Sequence, residues 1–239
     1  MNTINAENLH FRDLNDKIKA CSGDIVISNC FGQRFIASGR SGINLTINGT
    51  PGNALGAYLD GSNITVNGNA QDAVGDTMND GTIIINGNVG DALGYGMRGG
   101  KIYVKGNSGY RTGIHMKEYK EKKPVIIIGG GVGSFLAEYL AGGMIIVLGL
   151  NEGKPAAGDF LGTGMHGGKV FIRADKLPDT LPKQVIAAVA TDEDKNEMAG
   201  NLKEYCTIFN LDFDSLIKDK FFILKPNAKN PYKTLYTHN

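Results

Sequence analysis

Apolar and polar residues alternate in short bursts along most of the chain, and each burst ends in glycine. Leu45-Thr46-Ile47-Asn48-Gly49 is one such burst. Ile64-Thr65-Val66-Asn67-Gly68, Ile83-Ile84-Ile85-Asn86-Gly87 and Ile102-Tyr103-Val104-Lys105-Gly106 follow, each starting 19 residues after the last. Ile126-Ile127-Ile128-Gly129-Gly130 and Ile145-Ile146-Val147-Leu148-Gly149 continue the series, again 19 apart. Ile25-Val26-Ile27 precedes it and Val170-Phe171-Ile172 closes it. A period of two predicts strands with one face buried. Two intervals are longer: 24 residues around "KEYKEKKP" and 25 around "NEGKPAA". Inserts of this kind at set places in a repeat predict loops leaving one side of a stack.

The stretches between bursts repeat as well. "GNVGDALGYGMRGGK" (87–101) and "AGDFLGTGMHGGK" (157–169) share Gly-Asp-x-Leu-Gly-x-Gly-Met-x-Gly-Gly-Lys. Gly68–Thr82 places Asp72, Ala73, Val74, Gly75 and Met78 in the same slots, and Gly49–Asn63 places Ala54, Leu55, Gly56 and Leu59 there. A period of 19 is too short for a helix pair and fits one coil of a parallel β-solenoid, with coils stacked at ~4.8 Å. Ile64 and Val66, Ile83 and Ile85, and Ile102 and Val104 would then stack in the interior. The Asn-Gly pairs at 48–49, 67–68 and 86–87 mark one corner, where glycine is expected to supply a left-handed conformation. Their stacked asparagine amides are expected to bond along the ladder. Gly56, Gly75, Gly94, Gly113 and Gly162 mark a second corner, with Ala137 the exception.

The predicted fold is therefore all-β: a single-stranded, right-handed parallel β-helix of about seven coils of about 19 residues. A small helical C-terminal extension follows. Residues 1–24 would cap one end, residues 25–175 form the β-helix, and residues 176–239 form a helical and extended segment. Solenoid ends need such protection against edge-to-edge aggregation. "DEDKNEMAGNLKEYCTIFN" predicts a helix with Leu202, Tyr205, Cys206 and Phe209 on one face. A short helix, an extended piece (Phe221–Leu224) and a polar tail should follow. The tail's lysines and aromatics suit docking, and a plain cap accounts for them equally.

"PVIIIGGGVGSFLAEYLAGGMIIVLG" (124–149) reads at first as a dinucleotide-binding unit: strand, glycine turn, short helix, strand. The repeat argues against this. "GGVGSFLAEYLAGG" (130–143) aligns without a gap on "GNVGDALGYGMRGG" (87–100). Ser134 stands in place of the third glycine of GxGxxG. "SFLAEYLA" is short for a crossover helix, and Gly149 stands where a ribose-binding acid belongs.

Composition narrows the function classes. The chain has 239 residues and a formal net charge of +1, so no long-range field recruits nucleic acid or an anionic membrane. Its 34 glycines are about twice the usual ~7%, as the repeat requires. No apolar run reaches a membrane-spanning length and the N-terminus shows no signal-peptide pattern, so a cytoplasmic protein is expected. Cys21, Cys30 and Cys206 are scattered and form no CxxC pair. They read as reduced thiols.

No residue stands out as catalytic, cofactor-binding or metal-ligating. His115 and His166 lie in different coils with no acids in register, and read as surface or corner residues. Asp72, Asp91 and Asp159 share one slot, interrupted by Asn53, Tyr110 and Ser134, and read as turn caps. Cys30 lies inside a repeat, without the base or free amine an amidotransferase nucleophile needs. Arg34, Arg98 and Arg111 are expected to line a basic strip toward a partner.

With these features assembled, the chain resembles a known family. "FGQRFIASGRSG" (31–42), "EYLAGGMIIVLG" (138–149), "AAGDFLGTGMHGGKVFI" (156–172) and the tail "FFILKPNAKNPYKTL" are similar to the C-terminal GXGXG β-helix domain of the glutamate synthase large subunit. The likeness covers roughly residues 25–235. A more distant likeness is to the β-helical subunit of formylmethanofuran dehydrogenase. The first resemblance implies a non-catalytic scaffold, here as a free-standing subunit. It would organise an amidotransferase subunit and a synthase subunit, with FMN and an iron–sulfur cluster in those partners and no cofactor in this chain. It implies a role in glutamate biosynthesis and nitrogen metabolism. An N-methylglutamate synthase, a formylmethanofuran dehydrogenase-type complex, an independent dinucleotide-dependent oxidoreductase or a carbohydrate-acting solenoid stay open as alternatives, and so does homo-oligomer formation.

Overall fold

The computed structural model describes residues 1–151 and 155–227. Its elements in chain order are β1 (Asn2–Asn5), α1 (Phe11–Lys19), β2 (Gly23–Phe31), β3 (Ile43–Thr50), β4 (Asp60–Asn67), β5 (Asp80–Ile85), β6 (Lys101–Val104) and β7 (Val125–Ile128). Then come β8 (Ala141–Val147), β9 (Gly167–Arg173), β10 (Val185–Val189), α2 (Asp192–Phe209), α3 (Phe213–Leu216) and β11 (Phe221–Pro226). β1 to β9 pair in sequence order, every pair parallel, which is the signature of a coiled chain stacking on itself. The registers follow the repeat: Leu45 lies beside Ile64, Ile64 beside Ile83, Ile83 beside Ile102, Ile102 beside Ile126 and Ile126 beside Ile145. The protein is a parallel β-solenoid of about eight turns with few helices. Coils 1 to 7 begin at Ile25, Leu45, Ile64, Ile83, Ile102, Ile126 and Ile145. β1 adds one rung before them, from within the segment expected only to cap.

Two hydrophobic clusters hold the molecule together. The first fills the solenoid with the stacked inward residues, among them Ile47, Val66, Ile85, Val104, Ile128 and Val147. The second lies outside the sheet. Outward residues Thr46 and Thr65 in the early coils give way to Tyr103, Ile127, Ile146 and Phe171, which are fully buried. Helix α2 covers them with Met198, Leu202, Tyr205 and Cys206. The Tyr205 hydroxyl donates to the Val104 carbonyl at 2.9 Å, so its polar tip is satisfied in that apolar contact. Helix α2 begins in a capping box: Thr191 Oγ1 accepts from the Asp194 N–H, and the Asp194 carboxylate accepts from the Thr191 N–H.

The ends are closed differently. Helix α1 packs Leu14 and Ile18 onto the interior of the first coil. At the other end β11 runs antiparallel to β9, and β10 runs antiparallel to β11 as the last strand of the sheet. The extended piece predicted at 221–224 is present as β11, whereas β10 has no counterpart in the sequence reading. The polar tail falls on residues 228–239, outside the described residues.

At the Asn-Gly corner, Asn67 Nδ2 donates to Asn48 Oδ1, and Asn86 Nδ2 to Asn67 Oδ1, so the amide ladder is present. Gly49 and Gly68 have positive φ, 128 and 158, whereas Gly87 does not, and the three glycines share a further purpose. A Cβ at Gly49, Gly68 or Gly87 would lie 2.2–2.6 Å from a backbone carbonyl oxygen of the preceding coil. Close approach of coil to coil excludes a side chain there.

Candidate functional site

The second corner is where the chain becomes unusual. Each coil places three alternate residues in the left-handed region, as in Ala54-x-Gly56-x-Tyr58, Ala92-x-Gly94-x-Gly96 and Phe160-x-Gly162-x-Gly164. The residues between them have no positive φ, and the N–H groups of successive left-handed residues point to opposite neighbouring coils. The Ala54 and Tyr58 N–H groups bond to the following coil, and the Gly56 N–H bonds to the preceding one. The central slot points inward. A Cβ on Gly56, Gly75, Gly94 or Gly113 would fall 2.3–2.7 Å from the Cδ1 of Ile83, Ile102, Ile126 or Ile145. Ala37 and Ala137 hold this slot in coils 1 and 6, at φ 57 and 60; the register puts Ile64 in the corresponding place for Ala37 and Val170, which lacks a Cδ1, for Ala137.

The two flanking left-handed slots point outward, and bulky residues occupy several of them: Phe35, Arg111, Phe135 and Phe160 in one, Tyr58, His115 and Tyr139 in the other. Left-handed backbone costs a bulky residue about 1–2 kcal/mol. Gly39, Gly96 and Gly164 take the same slot in other coils, so the fold does not require aromatics there. Strain of this kind with no core contact to offset it points to function. On coils 4 to 7 these side chains form two contact groups. The Phe135 and Phe160 rings stack at 5.2 Å, and the Arg111 guanidinium lies 5.1 Å from the Phe135 ring centre. Arg111 Nε also donates to Glu138 Oε2 at 3.1 Å. His115 stacks on Tyr139 at 5.0 Å and meets the edge of Tyr95 at 5.8 Å. Phe35, Tyr58, Tyr95, Tyr110 and Phe160 keep between 42% and 56% of their surface exposed. Exposed tyrosine, phenylalanine and arginine in one patch is the composition of a protein–protein contact centre.

The residues weighed for chemistry fall elsewhere. Asp72 Oδ1 accepts from the Asp91 N–H, Asp91 Oδ1 from the Tyr110 N–H, and Ser134 Oγ from the Asp159 N–H. That column caps turns from coil to coil, as its spacing suggested. His115 belongs to the aromatic patch, and His166 Nδ1 lies 3.2 Å from the Gly164 carbonyl oxygen. Cys30 is buried in the solenoid, and burial pushes its thiol up to about 11, against a hydrogen bond from Gln33. It is thus held protonated, unlike an activated nucleophile. Cys206 sits in the outer cluster, and all three cysteines are free. Among the described residues no three of His, Cys, Asp and Glu gather as a metal site. Arg34, Arg98 and Arg111 do not form the expected strip. They stand in different slots of coils 1, 4 and 5, and Arg34 lies over Phe11 at 4.9 Å.

The glycines of 124–149 are packing glycines. A Cβ at Gly129 would meet the Lys105 carbonyl oxygen at 2.3 Å, and one at Gly133 would meet Gly109 and Tyr110 at 2.9 Å. Residues 134–140 turn through the left-handed corner where a crossover helix would be needed. A cleft of about 810 Å³ opens at the C-terminal end, but its Arg173 is already paired with Asp219 and its remaining charges are mixed. No helix among the described residues is long and apolar enough to cross a membrane.

Sequence reasoning missed the aromatic patch. It followed the central glycine of each corner, whereas the signal lay two residues to either side, where aromatic residues replace glycine.

A solenoid whose repeated unit is this glycine corner defines a class of β-helical domains. The sequence matches the family described as "GXGXG motif" over residues 14–227, and the chain belongs to that family. It is 44% identical to an uncharacterized protein of Methanocaldococcus jannaschii over 250 aligned positions, covering 98% of this chain and 95% of that protein. Its fold is similar to a chain of the formyltransferase/hydrolase complex (FhcABCD) from Methylorubrum extorquens, solved with methylofuran. The TM-score is 0.64 at 22% identity, covering 82% of this chain and 71% of that one.

Proposed function

We propose that this protein is a non-catalytic scaffold subunit of a multi-subunit complex of the glutamate synthase type. It organises an amidotransferase subunit and a synthase subunit for glutamine-dependent amino transfer, and the FMN and iron–sulfur cluster reside in the partners. The observation that carries the reading is the aromatic corner. A chain built almost wholly of GXGXG coils places its strained, exposed residues in a contact patch and not around an acid–base pair.

A second reading has its own support. The structural neighbour is a chain of a formyltransferase/hydrolase complex, so a β-helical subunit of a formylmethanofuran dehydrogenase-type assembly fits the same fold. Co-purification of the tagged protein from its native host, with mass spectrometry of the bound chains, separates the two. An amidotransferase-like chain and a flavin and iron–sulfur synthase in fixed proportion are expected. A molybdenum or tungsten enzyme would select the second reading. A solitary chain carrying its own flavin absorbance would overturn both and restore the oxidoreductase alternative.

A further inference from the structure

We propose that the outer edge of β10 pairs antiparallel with the same edge of a second copy of this chain. Strand β10 is the last in the sheet, and among the described residues no strand pairs with its outer side. The direction of its backbone groups follows from two bonds. The Ala190 N–H donates to the Phe221 carbonyl at 2.8 Å, and the Asn227 N–H to the Gln184 carbonyl at 2.7 Å. In an antiparallel ladder alternate residues exchange both bonds with the neighbour. Ile186 and Ala188 therefore face β11, and Val185, Ala187 and Val189 turn their N–H and C=O groups outward. Val185 uses its N–H on the Pro182 carbonyl at 3.0 Å, which leaves Ala187 and Val189, among the described residues, as a pair of open donor–acceptor sites.

That edge lacks the usual protection. Natural edges carry lysine, proline, a bulge or an inward charge. Val185-Ile186-Ala187-Ala188-Val189 carries none of these, and Ile186 and Val189 are 49% and 56% exposed. The opposite end of the sheet differs: β1 is the polar strand Asn2-Thr3-Ile4-Asn5, and helix α1 covers the coil beside it.

The occupant follows from self-complementarity. A two-fold axis at Ala188 sets Ala187 of one copy against Val189 of the other, the spacing needed for a closed pair of bonds. The small side chains of Ala187 and Ala188 lie at the axis. The same register brings exposed Lys183 of each copy toward exposed Asp192 and Glu193 at the start of the other copy's α2. Opposite charges thus meet at both ends of a neutral centre, which selects this register among the antiparallel ones. The inference does not depend on the scaffold assignment.

The test is the molar mass of the full chain by sedimentation equilibrium. The wild type should be a dimer. Ala187→Pro removes an outward N–H at an edge position that tolerates proline, so it should give a monomer with unchanged circular dichroism. Val189→Lys, which sets a charge on the edge, should do the same and guards against a folding defect in the proline variant. Lys183→Glu should raise the dissociation constant about tenfold or more, and adding Glu193→Lys should restore it. A monomeric wild type overturns the proposal, whether the edge is then covered by residues 228–239 or by another subunit. A dimer that survives both Ala187→Pro and Val189→Lys overturns it as well.

Discussion

Gly94 sits at φ 66, and a Cβ placed on it would come within 2.4 Å of Ile126 Cδ1. Gly94→Ala therefore combines left-handed strain with overpacking, and should destabilise the protein by about 2–4 kcal/mol in urea titrations. A shorter neighbour is one relief: coil 6 carries Ala137 in this slot with Val170 in the corresponding interior place, although coil 1 fits Ala37 opposite Ile64. Adding Ile126→Val should thus recover part of the loss, leaving mainly the backbone term. Gly39→Ala is the contrast. Its φ is 66 but a Cβ there meets nothing within 4 Å, so only the strain of about 1–2 kcal/mol should appear. If the two glycines cost the same, packing of isoleucine into the corner is not what excludes the side chain.

Helix α2 owes its place to a change of residue type on the outer sheet face, from threonine to Tyr103, Ile127, Ile146 and Phe171. Leu202→Ala should cost about 2–5 kcal/mol, because Leu202 is fully buried against that face. The start of the helix is pH-sensitive. The Lys225 ammonium, then the bond from the Thr191 N–H, hold the Asp194 carboxyl down at about 2. A depressed acid contributes stability above its unfolded value of about 4 and loses it as pH falls through the folded value. Asp194→Ala should therefore destabilise by about 1 kcal/mol or more at neutral pH. That difference should shrink between pH 4 and pH 2. A penalty unchanged at pH 2 would assign the effect to packing. Elements of this kind are legible in the sequence wherever periodicity carries them: the strands of the repeat and the face of α2 with Leu202, Tyr205 and Cys206. β10 is not, since "VIAAV" follows a proline-containing stretch, carries no repeat and becomes a strand only through pairing with β11. The aromatic corner is hidden for another reason. Outward left-handed slots leave no hydrophobic period, and Phe135 and Phe160 become neighbours only when coils 6 and 7 stack.

Across the whole molecule, the core residues and the exposed aromatics occupy different sides of the same coil. Inward residues form one continuous core, whereas Tyr95, Tyr110 and Phe160 project from the corner and contribute little to it. Replacing these three by alanine should change unfolding free energy by less than about 1–2 kcal/mol in total, as exposed substitutions usually do. If the corner is the partner contact, the same variant should lose about 2 kcal/mol or more of binding, roughly a thirtyfold rise in Kd. The comparison is made on one preparation, with urea titration of the isolated chain and capture of partner subunits from the native host. Loss of capture with the fold intact assigns recognition to the aromatic corner. Retained capture moves the contact to the polar strand face of the early coils, where Thr46 and Thr65 look outward and no helix among the described residues covers them. Loss of both would mean that the aromatic stacks brace the coils, and the strain in Phe135, Tyr139 and Phe160 would then need a structural account.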